Sequence, residues 1–252
     1  MSLPYNLCQD FAHALDPVLF AQDRLSFHPD DWQVRLLRSD SRQIALNCCR
    51  QAGKSTATAI VALHCALFEP GSLILLVSPS QRQSRELFGK LMDFLRSLEP
   101  AETLEEDNRL SAMLANRSRI VSLPGDGKTV RGFSAPTLIV EDEAGYVDDA
   151  LYTSIRPMLA VSEGRLILMS TPNGRRGHFF EIWTGGQGWE RIKILGRDCP
   201  RISSEFLQQE RHELGPLLFA QEYEGEFIDG QSSAFSSAMI ELALVDDFER
   251  FI

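Results

Sequence analysis

QIALNCCRQAGKST (43–56) decides the fold. Its first half, QIALNCC (43–49), is an unbroken apolar run, as expected of a strand covered on both faces. Its second half turns through Gly53-Lys54-Ser55 into STATAIVALHCALF (55–68), whose Ala- and Leu-rich composition predicts a helix. A strand, a glycine turn and a helix N-terminus in that order form an anion cradle, because the first N–H groups of the helix have no internal partner and point at whatever sits there. Lys54 is placed to neutralise β- and γ-phosphates, and the Ser55 hydroxyl to complete a Mg²⁺ shell. The remaining loop residues Arg50, Gln51, Ala52, Gly53 and Thr56 form the rest of the candidate phosphate site.

A second Gly-Lys-Thr, at 127–129, leads into VRGFSAP, whose Gly132 and Pro136 forbid a helix, so it lacks half of an anion site. The accepted loop departs from the usual spacing in having Cys48 where the first glycine belongs.

Outward from the loop, apolar runs recur at SLILLVS (72–78), RIVSLP (119–124), TLIVE (137–141), RLILMS (165–170) and RIKIL (191–195). A second helix is predicted over RQSRELFGKLMDFLRSL (82–98), with Leu87, Leu91, Phe94, Leu95 and Leu98 at helical spacing. Strands alternating with helices imply right-handed crossovers and an α/β fold: a doubly wound, mostly parallel sheet with helices on both faces. After Pro200 the character changes. ISSEFLQQERHELG and PLLFAQEYEGEF read as two short helices broken at Gly215-Pro216, a small C-terminal helical lid. The expected organisation is a main domain over 1–199, the lid over 200–228, and a linker with an acidic tail over 229–252.

Composition agrees with a globular chain of 252 residues, 44% hydrophobic and 24% charged. No run of about 18 apolar residues is present, and the N-terminus lacks the basic and apolar regions of a secretory signal, so no membrane partner is expected. The five cysteines (Cys8, Cys48, Cys49, Cys65, Cys199) contain no C-x-x-C pair, which argues against structural zinc or a disulfide framework. The net charge of −10 is uneven: residues 205–252 hold eleven acids against Arg211 and Arg250, leaving 24 acids and 23 bases elsewhere. Any nucleic-acid contact is therefore expected from the body of the chain.

Two further strand ends carry candidate chemistry. TLIVEDEAG (137–145) puts Asp142 and Glu143 at the C-terminal edge, where ligands bind in open α/β sheets. Asp142 is suited to hold Mg²⁺ through water and Glu143 to polarise an attacking water as general base. RLILMSTPNG (165–174) ends in Ser170 and Thr171, hydroxyls able to sense a γ-phosphate from a neighbouring strand. LLVSPSQRQS (75–84) adds polar residues at a third strand end.

Together these residues resemble the ATPase domain of the large terminase subunit of tailed bacteriophages, the motor that packages DNA. The resemblance covers about residues 25–228. It rests on WQ (32–33) before the loop, CRQAGKST with an arginine three residues before the glycine, TVRGFSAPTLIVEDEA, STPNGRRGHFFEIW, and EFLQQERHELGPLLFAQEYEGEF. It implies a P-loop NTPase fold of the RecA/ASCE type, hydrolysis of ATP with Mg²⁺, and coupling to translocation of double-stranded DNA. It further implies Gln33 as adenine reader, Arg50 acting on the γ-phosphate in cis, and Ser170 and Thr171 as the coupling motif. Arg131 is a second candidate arginine, supplied in trans by a neighbouring subunit. Implied partners are a homo-oligomeric ring, a portal, a small terminase subunit and duplex DNA, and the implied location is the cytoplasm of the bacterial host. Arg175 and Arg176, in a stretch with seven bases against four acids (163–201), are candidate DNA-backbone contacts. A surface salt-bridge network is the competing reading of that stretch. The family normally continues into a nuclease domain; Asp246 and Asp247 lack the strands that would hold one, so no nuclease activity is expected of these residues.

A superfamily 2 helicase-like DNA-dependent ATPase would share the loop, the acid pair and the serine–threonine strand end. It requires a second RecA-like domain, for which the residues after 200 are too few. A nucleotide-binding scaffold without catalysis would have no use for Glu143.

Overall fold

Strands β1 (Gln43–Cys48) and β2 (Leu73–Ser78) have no polar face to offer water. The computed structural model, which describes residues 7–98, 104–124, 130 and 132–228, buries both inside one eight-stranded sheet. The other strands are β3 (Leu104–Asp107), β4 (Ser111–Leu114), β5 (Arg119–Pro124), β6 (Leu138–Asp142), β7 (Arg165–Ser170) and β8 (Glu190–Ile194), in the order β3-β4-β5-β2-β6-β7-β1-β8. The six apolar runs of the sequence become the six parallel strands, each within one residue of its expected limits. Among the described residues only the edge hairpin is antiparallel: β3 pairs with β4 and β4 with β5.

Alternate side chains of these strands feed two cores on opposite faces. Ile44, Leu46, Ile74, Leu76, Val140 and Ile167 pack beneath α4 (Lys54–Phe68) and α5 (Gln81–Ser97), with α2 (Pro17–Leu25) and α3 (Asp31–Leu37) outside α4. Helix α4 is buried almost all round, from Ala57 to Leu63, and its alanines allow the close approach. Ala45, Leu75, Val77, Ile139 and Leu168 pack on the other face against α6 (Asp149–Ile155) and, beyond the short α7 (Leu159–Ser162), α8 (Gly177–Gly185). The fold is thus the doubly wound α/β architecture with helices on both faces. The N-terminal helices, including α1 (Leu7–Leu15), and the β3–β4 hairpin were not anticipated. β3 reads LEED, with no apolar alternation, because an edge strand has one neighbour and a solvated flank.

Helix α9 (Ser204–Glu224) is interrupted where the sequence says: Gly215 has φ +74° and ψ 168°, ahead of Pro216. Its second half returns to the sheet, burying Phe219 and Tyr223 in the α4 core. The linker and acidic tail expected over 229–252, the second Gly-Lys-Thr and Arg131 lie outside the described residues.

Candidate nucleotide site

The loop between β1 and α4 is built by two left-handed residues, Gln51 (φ 60°) and Gly53 (φ 89°). At Gly53 any side chain would be both strained and obstructed: a Cβ there would lie 3.0 Å from Gln33 Nε2 and 3.2 Å from Arg201 Nη2. Cys48 shows why the first loop glycine is dispensable. It is the last residue of β1, in register with Ile194, and wholly buried, so that position needs no unusual backbone. Burial pushes its thiol pKa far up, leaving it inert.

Topology brings the acid pair to this loop. β7 lies between β1 and β6, so the C-terminal ends of the three strands stand side by side. Lys54, the first residue of α4, reaches across to place Nζ 2.7 Å from Glu143 Oε1. The Ser170 hydroxyl donates to Glu143 Oε2 at 3.3 Å. Glu143 sits at φ 53°, ψ 43°, immediately after β6, with its N–H donating to Asp142 Oδ1 at 3.0 Å. The left-handed turn lifts Glu143 out of the strand's alternation so that both carboxylates serve one edge. Gly145 then lets β7 close in, for a Cβ there would meet Ser170 Oγ at 3.0 Å.

The electrostatics follow from burial. Asp142 is 7% exposed, and desolvation raises its pKa to about 6, with Lys54 pulling it down and Glu143 pushing it up. For Lys54, burial works to lower the pKa, but the charges of Glu143 and Asp142 outweigh it and hold the ammonium above its ordinary value. The residues surround a cavity of about 620 Å³ lined by the loop from Arg50 to Thr56, Glu143, Tyr146, Thr171, Gln83, Lys90 and Arg201. Asp142, Ser170 and Gln33 stand behind this lining rather than in it.

The other expected residues fall in different settings. Arg50 lines the cavity, but its Nε donates to Glu222 Oε2 of α9 at 2.5 Å, and its N–H donates to the Glu222 carbonyl at 3.1 Å. Gln33 is buried at the start of α3, where its Oε1 accepts the Asp30 N–H at 2.8 Å in a capping box, leaving Nε2 toward Gly53. Arg175 and Arg176 are exposed, and neither forms an ion pair among the described residues. Of the seven bases in that stretch, Arg165, Arg175 and Arg191 bond backbone carbonyls, Lys193 and Arg197 meet Glu226 and Asp198, and Arg201 turns to the loop.

Arg201 is the residue that sequence reasoning missed. Its Nη2 donates to the Ala52 carbonyl at 2.6 Å and pairs with Asp30 Oδ2 at 2.7 Å, so it ties the loop to the cap of α3. It is 149 residues from Ala52, and no local spacing marks it. Gln83 and Lys90, on α5, likewise reach the cavity only because α5 follows β2.

Comparison with known proteins agrees with this fold. The terminase large subunit of Thermus virus P23-45 is 25% identical over 90% of this chain and 54% of its own length, so the chain spans about half of that relative. The ATPase domain of the Thermus phage P74-26 large terminase superposes with a TM-score of 0.76 at 23% identity, covering 85% of this chain and all of that one. The large terminase of a thermophilic bacteriophage, solved in complex with ADP, superposes at 0.64 with 11% identity over 79% of this chain and 54% of that one. Residues 46–242 match the family described as terminase large subunit, T4likevirus-type, N-terminal, and the chain belongs to that family.

Proposed function

We propose that this chain is an ATP-hydrolysing motor domain that couples hydrolysis of Mg-ATP to translocation of double-stranded DNA in phage packaging. The observation that carries the reading is the convergence of Lys54, Asp142, Glu143 and Ser170 on one sheet edge beside a phosphate loop. The loop amides and the α4 N-terminus bind the phosphates. Lys54 exchanges Glu143 for β- and γ-phosphate oxygens. The carboxylate so released accepts a proton from the water that attacks the γ-phosphorus in line, as the bond to the ADP oxygen breaks. Ser170 keeps Glu143 oriented, and Thr171 faces the γ-phosphate. Asp142 and the Ser55 hydroxyl are hard oxygen donors that suit Mg²⁺ arriving with the nucleotide. The ion supplies charge neutralisation at the phosphates.

Arg50 is the cis arginine, exchanging Glu222 for the γ-phosphate, and Arg131 is the candidate in trans. Gln33 reads the adenine through Nε2, with Arg201 bracing loop and cap. Arg175 and Arg176 contact the DNA backbone. Residues 1–199 act as the ATPase unit, 200–228 as its lid and 229–252 as linker and tail, in a ring that meets portal and small subunit in the host cytoplasm. No helix among the described residues is long and apolar enough to cross a membrane.

The test is steady-state ATP hydrolysis with and without duplex DNA, for the parent and for Glu143→Gln. Turnover is expected to fall by about 10² or more in the variant while ATP binding survives, and duplex DNA is expected to stimulate the parent. Failure of the parent to bind ATP would overturn the assignment of the loop.

A further inference from the structure

The face of β6 opposite the cavity carries a second buried carboxyl group that the hydrolytic residues do not account for. Glu141 is fully buried, and its Oε1 lies 2.8 Å from Nε2 of His178 near the start of α8. The other ring nitrogen of His178, Nδ1, lies 2.9 Å from Asp149 Oδ1, and the His178 N–H donates to the same oxygen at 2.7 Å. With a carboxyl group at each nitrogen, both ring positions face an acceptor, the arrangement that suits an imidazolium. Tyr152 of α6 stacks flat on it, centroids 4.5 Å apart and planes 7° apart, with the Arg156 guanidinium 5.8 Å from the centre of the Tyr152 ring. Gly177, at φ +79°, brings the chain in so close that a Cβ there would be 3.3 Å from Asp149 Oδ1. Burial alone would lower the His178 pKa, but Glu141 and then Asp149 overcome it and raise it. Among the described residues Glu141 Oε2 has no partner, so His178 is the group that holds a buried carboxyl one residue before Asp142 and two before Glu143.

We propose that His178 is a positioning residue for hydrolysis: an imidazolium strut that clamps the acidic end of β6 to the turn carrying Arg175 and Arg176. The proposal rests on the hydrolytic reading above. The strut ties β6, α6 and the segment after the Ser170-Thr171 strand end at one point. It therefore holds Glu143 in register with Lys54 from behind the sheet.

Two measurements on the full chain test it. The first is ¹⁵N NMR of the imidazoles, with His178→Gln providing the assignment. Both His178 ring nitrogens are expected in the protonated range at pH 7, and a neutral ring overturns the strut. The second is turnover and thermal stability of His178→Gln and of Glu141→Gln/His178→Gln. The double variant removes the buried charge that the single one leaves unpaired, so its melting temperature is expected to return close to that of the parent. Its kcat is expected to stay down by about tenfold or more, with KM within about twofold, because misplacement costs rate rather than binding. Recovery of stability and rate together would mean that His178 only neutralises Glu141, and the proposal falls. If the parent binds Mg-ATP but does not hydrolyse it, the hydrolytic reading is what fails. The strut is then decided by the imidazole signals: they are expected to shift when Mg-ADP binds, and no shift overturns it.

Discussion

Glu141 and Asp142 are neighbours in β6 whose side chains leave the sheet on opposite faces, and the fold treats them in opposite ways. Glu141 is sealed in and matched by His178, which is itself fixed by Asp149 and Tyr152. Asp142 is almost as deeply buried, but its only hydrogen-bond donor among those described is the next residue's N–H, and its nearest cation, Lys54, is engaged with Glu143. One carboxylate is compensated within the fold and the other is left in demand of a cation. A buried charge whose compensation is incomplete costs stability and gains chemistry, and that is how the two faces of one strand divide structure from function.

The largest effect expected is at Asp142. Asp142→Asn should lower ATP turnover by about 10² or more through loss of the proposed metal ligand. It should also stabilise the unliganded protein at pH 7 by roughly 1–3 kcal/mol. Folding lifts the Asp142 pKa from 3.8 to about 6, so the folded state binds the proton more tightly than the unfolded one. The penalty is present in full above about pH 6 and fades as pH falls toward the unfolded value. Chemical denaturation of both proteins at pH 7 and pH 4 measures this, and an Asn variant less stable at pH 7 breaks the comparison.

His178→Ala should act the other way, destabilising by about 3 kcal/mol because it strands the Glu141 carboxylate, with the loss read from the same denaturation curves. Gly145→Ala sharpens the active side of the contrast. Its Cβ would press on Ser170 Oγ and on the Thr171 carbonyl, 3.1 Å away. A loss of about 1 kcal/mol, with kcat falling more than KM rises, is expected from thermal melts and kinetics.

Much of this was legible in the sequence where the controlling interactions are local. The six parallel strands announced themselves because a strand covered on both faces must be apolar throughout. Lys54, Asp142 and Glu143 drew notice in the sequence because the two acids end such a run and the lysine opens the helix that follows another. What escaped depends on chain segments that meet late. Arg201 reaches Ala52 and His178 reaches Glu141 only once the sheet order is known, and a His in GRRGHFF carries no sign of the carboxylate behind it. Asp30-x-x-Gln33 was read for its glutamine and not for the capping box it also is. LEED at β3 has the composition of a loop and is a strand only because Ser111–Leu114 pairs with it.

The return of α9 has a mechanical consequence. Asn47 Nδ2 donates to the Gly225 carbonyl at 2.8 Å, and Glu222 grips both the backbone and the side chain of Arg50. Tension applied at Ile228 meets Phe227 first, held by Phe179, Phe180 and Arg175 Nε, and passes from there to Gly225, beside the first residues of the candidate phosphate loop. The route by which load arrives from the C-terminal side of the chain and the place where a phosphate would be held are therefore separated by two side chains, and pulling on one strains the other.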